Sequence, residues 1–274
     1  MLPWVYEFHW TAFHITFLSI FFTVFAVVVS TVFVAVKRTQ RAEQNRTMDE
    51  IQWRSDFADL SPAMKVCRHE MNGDVKHRVC DHGFDCRSCS VHPLLISKQT
   101  KTPLLQFEVY GFTMPPYRMY HRGHTWVQQE DDGTYKIGID DFGTRIIGST
   151  YSVELPPIGT RLSVNGKGMV VKKANMDIRL LSPIDGEVIE QGDSEKGWYL
   201  KVKANDSKKV TDHLLKTDEV PNWILREMER LQISMATSGV GITLADGGEL
   251  VPDFHRHFPN ADWDGILGQM FLEA

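Results

Sequence analysis

No lysine or arginine occurs before Lys37, and from Ala12 to Val36 there is no aspartate or glutamate either. A solvated surface helix needs a charged or polar face, so the run AFHITFLSIFFTVFAVVVSTVFVAV does not read as one. As a helix its 25 residues extend about 37 Å, more than the ~30 Å hydrocarbon core of a bilayer. Trp4, Tyr6 and Trp10 precede it in the manner of an interfacial aromatic belt, and Lys37, Arg38, Arg41 and Arg46 follow it. This asymmetry predicts a single-pass anchor in the inner (cytoplasmic) membrane, with the C-terminal part of the chain in the cytoplasm. A cleaved signal peptide would place basic residues ahead of a shorter apolar stretch and a small-residue cleavage site, and these features are lacking. His9 and His14 read as interfacial side chains. Thr16, Ser19, Thr23, Ser30 and Thr31 offer hydroxyls where the helix meets a neighbour.

Catalytic motifs are missing too. There is no GxGxxG, P-loop, HExxH or GxSxG sequence, so no catalytic constellation is assigned and the chain does not read as an enzyme. Basic charge is not in excess: 30 lysines and arginines stand against 35 acidic residues, for a net charge of −5. That balance argues against a general nucleic-acid binder. Internal repeats and low-complexity tracts are absent as well.

Cysteine is scarce and confined. Cys67, Cys80, Cys86 and Cys89 are the only four, in the pattern C-x12-C-x5-C-x2-C. Disulfides are disfavoured on the cytoplasmic side of a membrane. Four thiolates suit a tetrahedral structural zinc, and a small polar segment without its own core would draw folding energy from the metal. Zinc is therefore the expected cofactor. A site of three cysteines and one of His69, His77, His82 or His92, an iron–sulfur cluster, and thiol redox chemistry are the alternatives. In the all-thiolate reading these histidines are surface or outer groups.

Punctuation divides the rest. Residues 1–37 form the anchor, 38–62 a juxtamembrane helix or linker ending near Ser61-Pro62, and 63–98 the four-cysteine segment. Residues 99–235 form a β domain with a C-terminal helix, and 236–274 a tail. A strand is expected at Leu104–Val109. Further short β-rich runs at Thr125–Gln129, Tyr135–Ile139, Met169–Val171, Glu187–Glu190 and Trp198–Val202 are separated by turns at Asp132-Gly133, Pro156-Pro157, Asn165-Gly166, Asp185-Gly186 and Gly192. Val220–Leu231 has helical spacing with Pro221 at its start, and Trp263–Leu272 predicts a short apolar helix.

Residues 121–205 resemble the H-protein of the glycine cleavage system. The resemblance rests on His124-Thr125-Trp126, the run Ile137 to Phe142, Gly148, Val153-Glu154-Leu155-Pro156, Gly159, Ser182-Pro183, Gly186-Glu187-Val188 and Gly197-Trp198. It implies a mainly β fold, the lipoyl/H-protein-like flattened β-barrel (barrel-sandwich hybrid), with a short helix at Phe142–Ile147. It also implies that His121 and His124 pack beside the sheet and that Asp140-Asp141 forms a structural turn. In the family a lipoyl lysine sits seven residues before the Ser-Pro pair, at a hairpin tip. That position is Asn175 here, and an amide cannot be acylated in place of an amine. Lipoate is accordingly not expected. The reading that follows is a membrane-anchored, non-lipoylated accessory subunit whose partners are the membrane and other subunits of a membrane complex, a redox complex being one candidate. Three other readings stay open: a lipoyl carrier using Lys173, an iron–sulfur electron-transfer subunit, and a ligand-sensing membrane protein.

Overall fold

The computed structural model describes residues 11–45, 57–96, 108–149, 151–173, 176–204, 209–237, 250, 254–259 and 261–272. The chain divides into two compact units, Met1–Ile51 and Gln52–Ala274. The first contains helix α1, Ala12–Asn45, which runs past the apolar stretch into the polar sequence that follows it. Its segment Ala12–Lys37 is long and apolar enough to cross a membrane, and its phenylalanines and valines are exposed. Phe13, Phe17, Phe21 and Phe25 stack along one side at centroid spacings of 6.1, 6.4 and 6.3 Å. The hydroxyls of Thr16, Ser19 and Thr23 donate to the carbonyls four residues earlier, at 2.8, 2.7 and 2.7 Å. A hydroxyl satisfied within its own helix can sit in hydrocarbon at little cost.

The second unit begins, among its described residues, with the cysteine segment. Its elements are a short helix α2 (Arg68–Met71), a 3-10 turn (Cys86–Ser88) and helix α3 (His92–Ile96). Strands β1 (Glu108–Val109) and β2 (Phe112–Thr113) form a small hairpin. Of the strand expected at Leu104–Val109, only these last two residues lie within the described chain. Then come β3 (Met119–His121), β4 (Thr125–Gln129), β5 (Tyr135–Ile139), helix α4 (Asp141–Ile147), β6 (Ser152–Glu154) and β7 (Arg161–Leu162). The hairpin β8 (Lys167–Lys173) and β9 (Met176–Leu181) follows, then β10 (Gly186–Asp193) and β11 (Trp198–Ala204). Helix α5 (Val220–Thr237), a 3-10 turn (Phe254–His257) and helix α6 (Trp263–Met270) complete the chain. Six strands form one sheet in the order β3-β4-β5-β11-β10-β7, and three form another, β6-β8-β9. The architecture is mainly β, a six-stranded and a three-stranded antiparallel sheet forming a half-barrel.

Local chemistry explains the elements. Asp140 caps α4 by accepting from the Gly143 N–H at 2.7 Å. Gly148 ends α4 with φ of 83°, a conformation that costs glycine nothing. Trp126 on β4 is fully buried, donates its indole N–H to the Ile139 carbonyl at 2.9 Å, and lies under the Arg118 guanidinium at 3.7 Å. Its ring covers Gly138 on the paired strand, where an added Cβ would stand 2.4 Å from the indole. Gly138→Ala is therefore expected to destabilise the unit by about 1–3 kcal/mol through overpacking. Urea unfolding followed by tryptophan fluorescence checks this; an unchanged midpoint would show that the ring moves aside without cost. Gly192, which the sequence suggests as a turn, lies inside β10. A Cβ there would meet the Trp198 carbonyl oxygen at 2.2 Å. The glycine is required by close backbone approach, which a sequence pattern cannot separate from a turn.

Candidate functional site

Asn175, the position that the resemblance sets against a lipoyl lysine, lies between β8 and β9 in the sequence. Lys173 pairs with Met176 as the last rung of the hairpin, and residues 174 and 175 between them lie outside the described residues, Asn175 included. The two lysines ahead of the tip are described. Lys173 is buried, and its ammonium donates to the Ile147 carbonyl at the C-terminal end of α4. A helix C-terminus presents unpaired carbonyls and partial negative charge, a natural seat for an ammonium. Lys172 points the other way, into solvent. It is held between Glu154 and Asp177 on the two flanking strands, at 3.2 Å from each. The next strand carries other cargo: α6 lies against β9, and Leu181 at its end is buried with Leu60, Phe84 and Leu272. The tail thus packs onto the hairpin's second strand.

On the opposite side of β6, an open cavity of about 570 Å³ is lined by Thr144, Arg145, Tyr151, Val153 and Tyr199 among others. Tyr151 and Tyr199 share a hydrogen bond of 3.0 Å there, and Arg145 is spent on Asp141 and on the carbonyls of Gly111 and Leu250.

The cysteine segment docks against the barrel. Arg122 donates to the Val66 carbonyl at 2.6 Å and lies 3.8 Å over the Phe84 ring. Asn165 donates to the Gly83 carbonyl at 2.6 Å, and Arg87 pairs with Asp185 at 2.5 Å. Arg68, buried, donates through Nε to Glu219 at 2.9 Å and through Nη2 to the second carboxylate oxygen. It also donates to the carbonyls of Asp212 and Leu214, each at 3.1 Å. These contacts tie the segment to the barrel.

Cys67 is buried, and Cys80, Cys86 and Cys89 are half-buried with free thiols. As they stand, the described residues contain no group of three or more His, Cys, Asp or Glu side chains gathered closely enough to hold a metal. Burial pushes the Cys86 thiol up to about 11 against the pull of Arg68, with Cys80 and Cys67 adding to the rise. His69 and His92 are buried. His69 bonds Asp74 at 2.7 Å and His92 at 2.8 Å, and His92 Nε2 makes no hydrogen bond. Burial, with Arg68 and His69 nearby, lowers His92 to about 4, so it stays neutral.

A second cluster escaped the sequence reading. His124 is fully buried, with φ of 59°. Its Nδ1 meets Asp140 at 3.0 Å and its Nε2 faces Glu227 of α5 at 3.7 Å, an ion-pair contact too long for a hydrogen bond. The rings of Phe142 and Trp223 stack on it, and Phe271 of the tail meets it edge-on. Burial opposes a charged imidazole, but Asp140 and Glu227 outweigh it and raise His124 to about 9. Burial would raise Glu227 as well, yet Arg230 and His124 bring it down to about 2. The signal was present: Glu227 falls among the apolar positions 220, 224, 228 and 231 of a core-facing helix, where a carboxylate needs a buried partner. The cluster ties the β3–β4 turn, α4, α5 and the tail together, and it holds no reactive group open to solvent.

Comparison with known proteins matches residues 118–227 to the family model for the glycine cleavage H-protein. The glycine cleavage system H protein of Saccharophagus degradans is 31% identical over 100 residues, covering 32% of this chain and 77% of that protein. That of Oceanobacillus iheyensis is 31% identical over 115 residues, covering 37% and 90%. A crystal structure of the glycine cleavage system H protein from Mycobacterium marinum aligns at 21% identity with a TM-score of 0.34, over 39% of this chain and 94% of that one.

Proposed function

This chain belongs to the glycine cleavage H-protein family through residues 118–227, and from that premise we propose that it is a non-lipoylated member acting by protein–protein contact. It serves as an accessory subunit that docks or assembles a membrane complex. Its α1 helix lies in the inner membrane and Gln52–Ala274 faces the cytoplasm. The observation that carries this reading is the fate of the lysines at the hairpin. The family's modified position is Asn175, Lys173 is buried against the end of α4, and Lys172 is engaged by two carboxylates on its own sheet. A ligase needs an extended, exposed amine at the tip, and neither lysine offers one there. The tail packed on β9 further supports a scaffold over a shuttle, because a carrier arm needs free space beside its hairpin.

Intact mass of the full chain purified from its native membrane is expected to show no lipoyl increment. Extraction in mild detergent is expected to bring partner subunits with it. A lipoyl adduct on Lys172 or Lys173 would overturn the non-lipoylated reading. A chain that elutes alone in every mild detergent would overturn the assembly role.

A further inference from the structure

We propose that Cys67, Cys80, Cys86 and Cys89 close around a single tetrahedral zinc ion on one face of a two-strand bridge, inside a shell of three arginines. The assignment is independent of the docking role above. The backbone directs the thiols to one place. Val66 and Val79 form an antiparallel bridge, with the Cys67 N–H donating to the Arg78 carbonyl at 2.9 Å and the Cys80 N–H to the Lys65 carbonyl at 2.6 Å. Side chains alternate across a strand, so Cys67 and Cys80 both point to the face opposite the two valines, as diagonal neighbours. Cys86 and Cys89 bracket a single turn in which the Cys89 N–H donates to the Cys86 carbonyl at 3.2 Å, placing the pair side by side. Arg78, on the face shared by Cys67 and Cys80, donates to the Cys89 sulfur at 3.9 Å, which brings the turn over that face.

The charges around the thiols favour a centre of this type. Four thiolates about one divalent ion carry 2 − 4 = −2 net charge, and a half-buried dianion needs neighbouring cations. Arg78 donates to the Cys89 sulfur, and the positive charges of Arg68 and Arg122 act on the thiols of Cys86 and Cys80. The thiols stand apart from one another. Closing the site requires side-chain rotation toward the shared face and release of the four thiol protons to solvent. Both ring nitrogens of His69 are engaged, by Asp74 and His92. The arginines link the centre to the barrel, since Arg68 continues to Glu219 and Arg122 to the Val66 carbonyl.

The test is elemental analysis of the full-length protein purified in detergent without added metal. About one zinc per chain in a colourless preparation is expected, and cobalt substitution should give the visible bands of a tetrahedral tetrathiolate. Iron with visible absorption, or no metal, overturns the proposal. Cys86→Ser and Cys89→Ser should lose the zinc; because these variants risk misfolding, two others keep the ligands intact. His92→Gln should retain full zinc, and its loss would overturn the all-thiolate set. Arg78→Gln should retain zinc but weaken its affinity in a chelator competition by roughly 10–100-fold, as groups around a ligand shell do. An affinity unchanged by Arg78→Gln would overturn the role given to the arginine shell.

Discussion

His124→Leu is expected to destabilise the Gln52–Ala274 unit by about 3–5 kcal/mol, the cost of breaking a buried ion pair from one side. The imidazole stands between Asp140 at 3.0 Å and Glu227 at 3.7 Å, with all three side chains essentially inaccessible. Removing it leaves two carboxylates facing an apolar gap. Asp140 keeps the Gly143 N–H and Glu227 keeps Arg230, so the loss falls short of stranding two bare charges. The same substitution removes the ring that Phe142, Trp223 and Phe271 enclose. Urea unfolding of the full chain in detergent, read by tryptophan fluorescence, measures the effect. A loss below 1 kcal/mol would mean that the imidazole is neutral in the folded protein.

The ionisation gives a second readout of that site. The folded value near 9 lies above the unfolded value of about 6.5, so the folded protein binds the proton more tightly. The stabilisation is fully present below pH ~6.5 and is lost as pH rises through about 9, to a total on the order of 3 kcal/mol. Wild-type stability should therefore fall across that alkaline window, and the His124→Leu variant should lack this component.

Arg68→Met is expected to cost a similar 3–5 kcal/mol, for a different reason. Arg68 and Glu219 are exposed by only 5% and 3%, and the guanidinium also satisfies two backbone carbonyls. Without it Glu219 keeps the Asn72 amide at 2.8 Å and the Lys216 N–H at 3.0 Å, too little for a buried carboxylate. Because the pair bridges the cysteine segment and the start of α5, the substitution should also loosen residues 57–96. Hydrogen exchange there should accelerate more than in β4 and β5. The double variant Arg68→Met/Glu219→Leu should recover much of the loss, since a buried pair replaced by apolar groups is often near neutral. Additive costs in the double-mutant cycle would show that the two residues do not act as a pair.

Much of the barrel is legible in the chain itself. Period-two runs locate β4 and β5 at their observed bounds, and the 3.6-residue spacing from Val220 announces α5, although that helix continues to Thr237. These patterns come from neighbours in sequence, and short-range rules read them well. The burial of Lys173, Arg68, Glu219 and His124 does not follow from such rules. Each of these charges is compensated by a group from 16 to 151 positions away, and nothing in the local sequence names the partner.

The sequence by itself determined the apolar span, the confinement of the cysteines, the family, and an asparagine at position 175. Each rests on residue identity or on periodicity along the chain. Only the tertiary structure decided that the neighbouring lysine is consumed by the end of α4, that the tail lies on β9, and that the charges of three arginines act on the thiols. Those outcomes depend on where distant charges find counter-charges once water is excluded, and that matching exists only in the folded chain.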